Sequence, residues 1–261
     1  MSLTTTFWTG TGLTDKGVVR TTNQDTFAID NALRLWIVAD GMGGYVGGGV
    51  ASDLAVTAIL KYFRDAAYGA AQETDLLHDA TPRLTDAIAA GKTAIQQRVA
   101  EEPPLSGMGT TVVAAWLCPT PIPTLAIAHV GDSRAYVIRE DRLTALTIDH
   151  SLVQQLVAEG HISVEDSLTH PKRNVLVNAL GSGYPSIPDV ALHPLMPQDI
   201  VLLCTDGLTK MLSEADILSI VLATRNDPEE ICRRLIAQTN TAGGKDNTTV
   251  LLISCICQSF N

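Results

Sequence analysis

The polypeptide alternates between short stretches that are apolar at nearly every position and longer ones that are apolar on one side only. Runs rich in Val, Ile, Leu and Thr predict strands at 26–30, 33–39, 110–118, 124–130, 134–139, 200–204 and 247–256. Continuous apolarity, with no in-and-out alternation, predicts strands covered on both faces. Asp30-Asn31 after the first run, and Gly131 to Ser133 between 124–130 and 134–139, are hairpin-length links. They favour antiparallel pairing over parallel crossovers and argue against a doubly wound nucleotide fold.

Helical periodicity predicts two long segments, 50–65 and 82–99. In the second, Leu84, Ile88, Gly91 and Ile95 share a face, with Thr81 as the expected N-cap and Pro82 in the first turn. Shorter helices are predicted at 151–159, at Glu214–Ala223 behind a Ser213-x-x-Asp216 box, and at 228–238 behind Asp227. Helices covering antiparallel sheets make a layered α+β domain. Pro103-Pro104 and the 119–123 stretch are breaks, but nothing resembles a linker, so a single domain over 1–261 is expected. The segment at about 150–183 reads as an insertion over a surface, with short polar helices, no strand, and His161, His170, Lys172 and Arg173.

Composition narrows the partners. A chain of 261 residues with 46% apolar positions can bury a substantial core. Lys+Arg total 18 against Asp+Glu 28, a net charge of −10, so the summed field repels nucleic acid and anionic membrane. The amino terminus lacks the basic and apolar regions of a secretory signal, and no apolar run approaches membrane-spanning length, so a cytoplasmic protein is expected. Five cysteines, Cys118, Cys204, Cys232, Cys255 and Cys257, fit a reducing compartment. Cys255-x-Cys257 has no second pair or His to complete a metal site and reads as part of a terminal strand.

The chemistry is announced by acidic residues at the ends of apolar strands. Asp40 closes LRLWIVAD, Asp132 closes LAIAHVGD, Asp206 closes IVLLCTD, and Asp246 precedes NTTVLLIS. Strands with apolar bodies share a core, so these carboxylates are expected to crowd at one rim. Carboxylates a few Å apart either protonate or recruit a cation. No Cys or His accompanies them, which points to a hard divalent ion, Mg²⁺, Mn²⁺ or Ca²⁺. Each Asp beside a Gly is also an ordinary turn signal; four repetitions favour the cation.

Arg20, the only Arg in the first 33 residues, lies with Asn23 and Asp25 just before the first predicted strand. A planar guanidinium near such a rim is suited to clamp a phosphate. No phosphate-cradling G-x-x-x-x-G-K-[ST], no kinase signature and no G-x-S-x-G elbow is present, which leaves metal-assisted hydrolysis of a phosphoester.

The segments GVVRTTNQDTF, LWIVADGMGGYVGG, SGMGTTVVAA, AHVGDSRAYVIR, TIDHSL, THPKRNVLVNALG, DIVLLCTDGLTKML and GGKDNTTVLLI, in this order from 17 to 253, resemble the metal-dependent protein Ser/Thr phosphatases of type 2C, in their compact bacterial form. The resemblance implies a four-layer αββα sandwich, two antiparallel sheets flanked by helices, with a dinuclear Mg²⁺ or Mn²⁺ centre at one end. It implies that Asp40 bridges two metals, that the Gly41 carbonyl, Asp206 and Asp246 complete the site, and that Asp132 shares a third, weaker metal with Asp206. Asp25 would hold metal-bound water, Asn247 would orient a ligand or water, and Arg20 would bind substrate phosphate.

The implied reaction is attack of a metal-bridging hydroxide on phosphoserine or phosphothreonine in proteins, and the implied setting is a cognate Ser/Thr kinase pathway, with a monomer as the default. A non-catalytic phosphoprotein-binding or scaffold member of the fold, and a small-molecule phosphoesterase, are the competing readings. The family's usual DGMGGHAGG is here DGMGGYVGG, with Tyr45 in place of His, which leaves a metal-bound water as the expected proton source for the leaving oxygen. The 150–183 insertion corresponds to the family's variable flap. His129 reads as core, His150 as structural, and Met42 and Met108 as packing residues.

Overall fold

The computed structural model describes residues 3–43, 47–69, 79–181 and 183–260. Tyr45 and the side chain of Cys257 lie outside what it describes. In chain order the strands are β1 (Leu3–Asp15), β2 (Asp25–Asp30), β3 (Leu35–Met42), β4 (Gly109–Thr110), β5 (Val112–Cys118), β6 (Thr124–Val130), β7 (Arg134–Arg139), β8 (Arg142–Ala145), β9 (Leu180–Gly181), β10 (Asp189–Pro194), β11 (Ile200–Cys204) and β12 (Thr248–Phe260). The helices are α1 (Gly47–Gly69), α2 (Ala80–Glu101), α3 (Leu152–Ala158), α4 (Val164–Thr169), α5 (Asp206–Thr209), α6 (Glu214–Ala223) and α7 (Pro228–Thr241).

Two antiparallel sheets result. One has the order β1-β12-β11-β7-β8; the other runs β10-β6-β5-β3-β4-β9, with β2 beside β3. The apolar strands divide their side chains by parity, as a period of two requires. Leu35, Ile37 and Ala39 of β3 pack with α1 and α2, while Trp36 and Val38 face the opposite sheet. Ile200, Leu202 and Cys204 of β11 pack with α6 and α7, while Val201 and Leu203 turn inward. Three apolar layers therefore separate four structural layers, and the αββα sandwich is the observed architecture. Trp36, fully buried between the sheets, is the largest of these inward side chains; removing its ring would cost roughly 3–5 kcal/mol.

Several sequence-based expectations need correction. The link 131–133 does not close a hairpin: β6 pairs with β5 and β10, whereas β7 pairs with β11 and β8, so this turn carries the chain from one sheet to the other. The N-cap of α2 is Asp79, not Thr81; its carboxylate pairs with Arg83 and makes no side-chain cap bond. The insertion does contain a short strand, β9, paired with β4.

Periodicity does not predict β1, β8 or β10. β8 and β10 are edge strands with little buried surface. β1 looks like a loop because it carries glycines, yet a Cβ on Gly10 would lie 2.3 Å from Cδ1 of Trp36. The glycine is required by the close approach of the indole ring. By contrast, the Ser213–Asp216 capping box and the Asp227 cap form as expected. No helix among the described residues is long and apolar enough to cross a membrane.

Candidate active site

The carboxylates converge. Asp40, Asp132, Asp206 and Asp246, with Arg20, Gly41 and Asn247, line one cleft of about 290 Å³. Asp40 lies near the end of β3, Asp132 in the turn between the sheets, Asp206 at the start of α5, and Asp246 just before β12. Each leaves the body of the sandwich at the same end because the strand beside it is held in register by burial on both faces.

Asp25 lies behind the cleft wall, directly opposite Asp40 in the β2–β3 ladder. Its Oδ2 accepts hydrogen bonds from the hydroxyls of Thr205 at 2.9 Å and Thr249 at 2.7 Å. Its Oδ1, and Oδ1 of Asp206, are buried without a protein partner. Buried oxygens of this kind require a cation or ordered water, so the donor set fits a hard divalent ion.

The electrostatics agree. Burial, then Asp25, Asp206, Asp132 and Asp246 together push the Asp40 carboxyl well above the ordinary carboxylate range. Burial raises Asp25 to about 7, opposed by its threonine bonds and reinforced by Asp206. Burial and Asp206 raise Asp132 to about 8, opposed by Lys210. Such a cluster keeps protons at neutral pH unless positive charge replaces them. The chain supplies one such charge: Lys210 forms an ion pair with Asp206. Burial works against its ammonium, but Asp206, Asp132 and Asp246 outweigh that and raise its pKa.

Backbone geometry fixes the ligands. Thr110 Oγ1 and the Thr111 backbone N–H donate to the Asp40 carbonyl, and the Asp40 N–H donates to Thr111 Oγ1. Thr111 Oγ1 lies 2.6 Å from Ser133 Oγ, which ties Asp40 to the turn bearing Asp132. The Gly41 N–H donates to the Gln24 carbonyl at 3.1 Å. A Cβ on Gly41 would fall 2.1 Å from the Gly48 carbonyl oxygen, so no side chain fits there.

Arg20 stands at the mouth, half-exposed, donating to Asp246 Oδ2 at 2.9 Å. Asn247 serves the loop that carries Arg20: its Oδ1 accepts from the Gln24 N–H, and its Nδ2 donates to the carbonyls of Lys16 and Thr22. Asn247 thus ties the loop that carries Arg20 to the start of β12, and it also lines the cleft. Met108 is core, as expected, but Met42 lines the cleft.

Thr205, Thr249, Thr111, Ser133 and Lys210 do not stand out in the sequence. The available signal is adjacency, since each lies within a few positions of a strand-end aspartate or, for Thr111, of the strand that pairs with β3. From the 150–183 segment, Asn174 and Leu176 reach the cleft. The start of that segment is anchored beside Asp132: the His150 N–H donates to the Gly131 carbonyl, and Arg134 grips Asp149 with two 2.7 Å bonds.

His129, His150 and Asp189 also lie close enough to share an ion. Three of their four ring nitrogens already have hydrogen-bond partners. His150 Nδ1 accepts from the Gly131 N–H and from Asn178 Nδ2, which assigns the proton to Nε2, facing Asp189 at 3.1 Å. His129 Nε2 faces the Ile148 carbonyl at 2.8 Å and donates to it. One imidazole lone pair and one carboxylate remain, too few for a site, so both histidines are structural.

Known proteins are similar to this chain in sequence and fold. The protein phosphatase 2C family model matches residues 16–239. The serine/threonine phosphatase stp of Listeria innocua is 38% identical over 244 residues, covering 92% of this chain and 93% of its own. The crystal structure of the Mycobacterium tuberculosis serine/threonine phosphatase PstP/Ppp superposes with a TM-score of 0.82 at 34% identity, over 95% of this chain and 98% of that one. The catalytic domain of PstP in complex with two manganese ions superposes with a TM-score of 0.81 at 33% identity, over 97% and 100%. With the strand-end aspartates gathered in one cleft and these matches running nearly the length of the chain, the protein belongs to the protein phosphatase 2C family of metal-dependent serine/threonine phosphatases.

Proposed function

We propose that this chain is a single catalytic domain with a flap at about 150–183, and that it removes phosphate from phosphoserine and phosphothreonine in proteins. The observation that carries the reading is the convergence of Asp40, Asp132, Asp206 and Asp246 on one cleft with Arg20 at its mouth. Asp40, the Gly41 carbonyl, Asp206 and Asp246 would hold two Mg²⁺ or Mn²⁺ ions, and Asp132 with Asp206 a third. When bound, the ions supply Lewis acidity and an activated water at neutral pH.

The chain's own residues do the rest. Asp25, backed by Thr205 and Thr249, presents its open Oδ1 to water at the site. Arg20 spends one N–H on Asp246 and offers the others to the phosphoryl oxygens, where a charge-assisted bond orients the dianion. Asn247 holds that loop still. A binding-only role gives no physical reason to keep mutually repelling carboxylates in a buried cluster.

We further infer a cytoplasmic monomer acting opposite a Ser/Thr kinase in signal transduction, in keeping with the absence of a membrane-length helix among the described residues. Hydrolysis of a phosphothreonine peptide and of p-nitrophenyl phosphate with Mn²⁺, with chelator, and in Asp206→Ala tests the activity. Turnover of both should fall at least roughly 100-fold on chelation and in the variant. Undiminished turnover in either arm would overturn the mechanism, and hydrolysis of the small ester alone would point to a small-molecule phosphoesterase.

A further inference from the structure

The cleft holds a cation of the protein's own. Lys210 follows α5 one turn after Asp206, and its backbone N–H donates to the Asp206 carbonyl at 2.8 Å, which fixes the two residues in helical register. Its ammonium reaches back to Asp206 Oδ2 as an i,i+4 ion pair. The other carboxylate oxygen of Asp206 stays buried and open. Asp206 and Lys210 are the two charges that act most strongly on Asp132, with opposite sign. The lysine side chain is one-third exposed, so its flexible four-carbon stem has room to swing outward.

A tethered ammonium and a divalent ion compete for the same oxygens. Lys210 pairs with Asp206, and its charge is felt next at Asp132 and then at Asp246, whose own ion-pair partner is Arg20 at the mouth. We propose that Lys210 determines how the cleft loads metal: its ammonium holds the Asp132–Asp206 side as a built-in monocation that a divalent ion must displace. The proposal rests on the metal-binding reading of the cleft given above. The new element is residue 210 itself: its tethered charge adds a penalty, specific to this chain, to any divalent ion that takes an oxygen of Asp206.

Calorimetric Mn²⁺ titration of the full chain, with bound Mn²⁺ counted by electron paramagnetic resonance, tests this without relying on turnover. In Lys210→Met the weakest Mn²⁺ equivalent should tighten roughly tenfold or more, because a unit charge near the site is gone. Lys210→Arg, which keeps the charge, should track the unsubstituted protein. Adding Asp132→Asn to Lys210→Met should abolish the gain. Superimposable isotherms for Lys210→Met and the unsubstituted protein overturn the proposal, as does a gain shared by Lys210→Arg or one that survives Asp132→Asn. An unsubstituted protein that binds no Mn²⁺ at all overturns the metal reading itself, and this proposal with it.

Discussion

Asp25 and Asp40 face each other directly across the β2–β3 ladder, two carboxylates at a register position where like charges destabilise a sheet. The fold keeps this repulsion because neighbouring groups share it. Thr205 and Thr249 bond one oxygen of Asp25, and the other is buried without a protein hydrogen bond. Repulsion in the metal-free protein and affinity in the metal-bound one are thus two sides of one arrangement.

Asp25→Asn should separate them. With chelator at pH 8 the variant should unfold at a higher temperature than the parent, by a few degrees, since about 1 kcal/mol moves Tm roughly 2–4 °C in a chain of this size. Its stabilisation by Mn²⁺ should shrink. Thermal unfolding with and without Mn²⁺ measures both, and a lower Tm for the chelated variant would contradict the repulsion argument.

The pH dependence of the metal-free protein follows from the same groups. An unfolded chain loses the protons of Asp25 and Asp132 near the ordinary 3.8, while the fold retains them to about 7 and about 8. Between those limits the native state binds more protons than the unfolded one, so stability is full below pH 4 and declines as pH rises toward 8. Chelated protein should therefore melt at a lower temperature at pH 8 than at pH 5.5, and saturating Mn²⁺ should restore the loss at pH 8. A chelated Tm that is flat or rising over this range would remove the premise of charge crowding.

Arg20 and Asn247 should fail in different ways. Arg20→Ala breaks a half-exposed ion pair worth about 0–1 kcal/mol, so stability should barely change. Losing a charged donor to phosphate should raise KM and lower kcat/KM roughly 10–100-fold. Asn247→Ala strands the Gln24 N–H and the carbonyls of Lys16 and Thr22, which should cost roughly 1–3 kcal/mol while also raising KM through the loosened loop. Steady-state kinetics paired with denaturant unfolding distinguishes them; an Arg20→Ala enzyme with unchanged KM would remove its assigned role.

Much of this fold and site is legible in the order of residues. The strands that matter most, β3, β6, β11 and β12, carry apolar residues on both faces, a pattern that identifies them as central and marks the aspartate beside one end of each as unusual. The helix caps at Ser213 and Asp227 are local signals, and they form where the local pattern places them. β1 and β10 give no such signal, since one uses glycine to admit Trp36 and the other is an exposed edge.

The amino-acid order by itself determined the layered class and the carboxylate set, which depend on periodicity and on residue types at strand ends, and the family, which its eight ordered motif segments resemble. Tertiary structure alone decided that the 131–133 turn switches sheets, that Asn247 serves the Arg20 loop, that Thr249 bonds Asp25 across 224 positions of chain, and that Lys210 reaches into the cleft. Local pattern records which face of an element is apolar. Which distant polar groups meet is set only when the sheets close on one another and every buried donor and acceptor must find its partner.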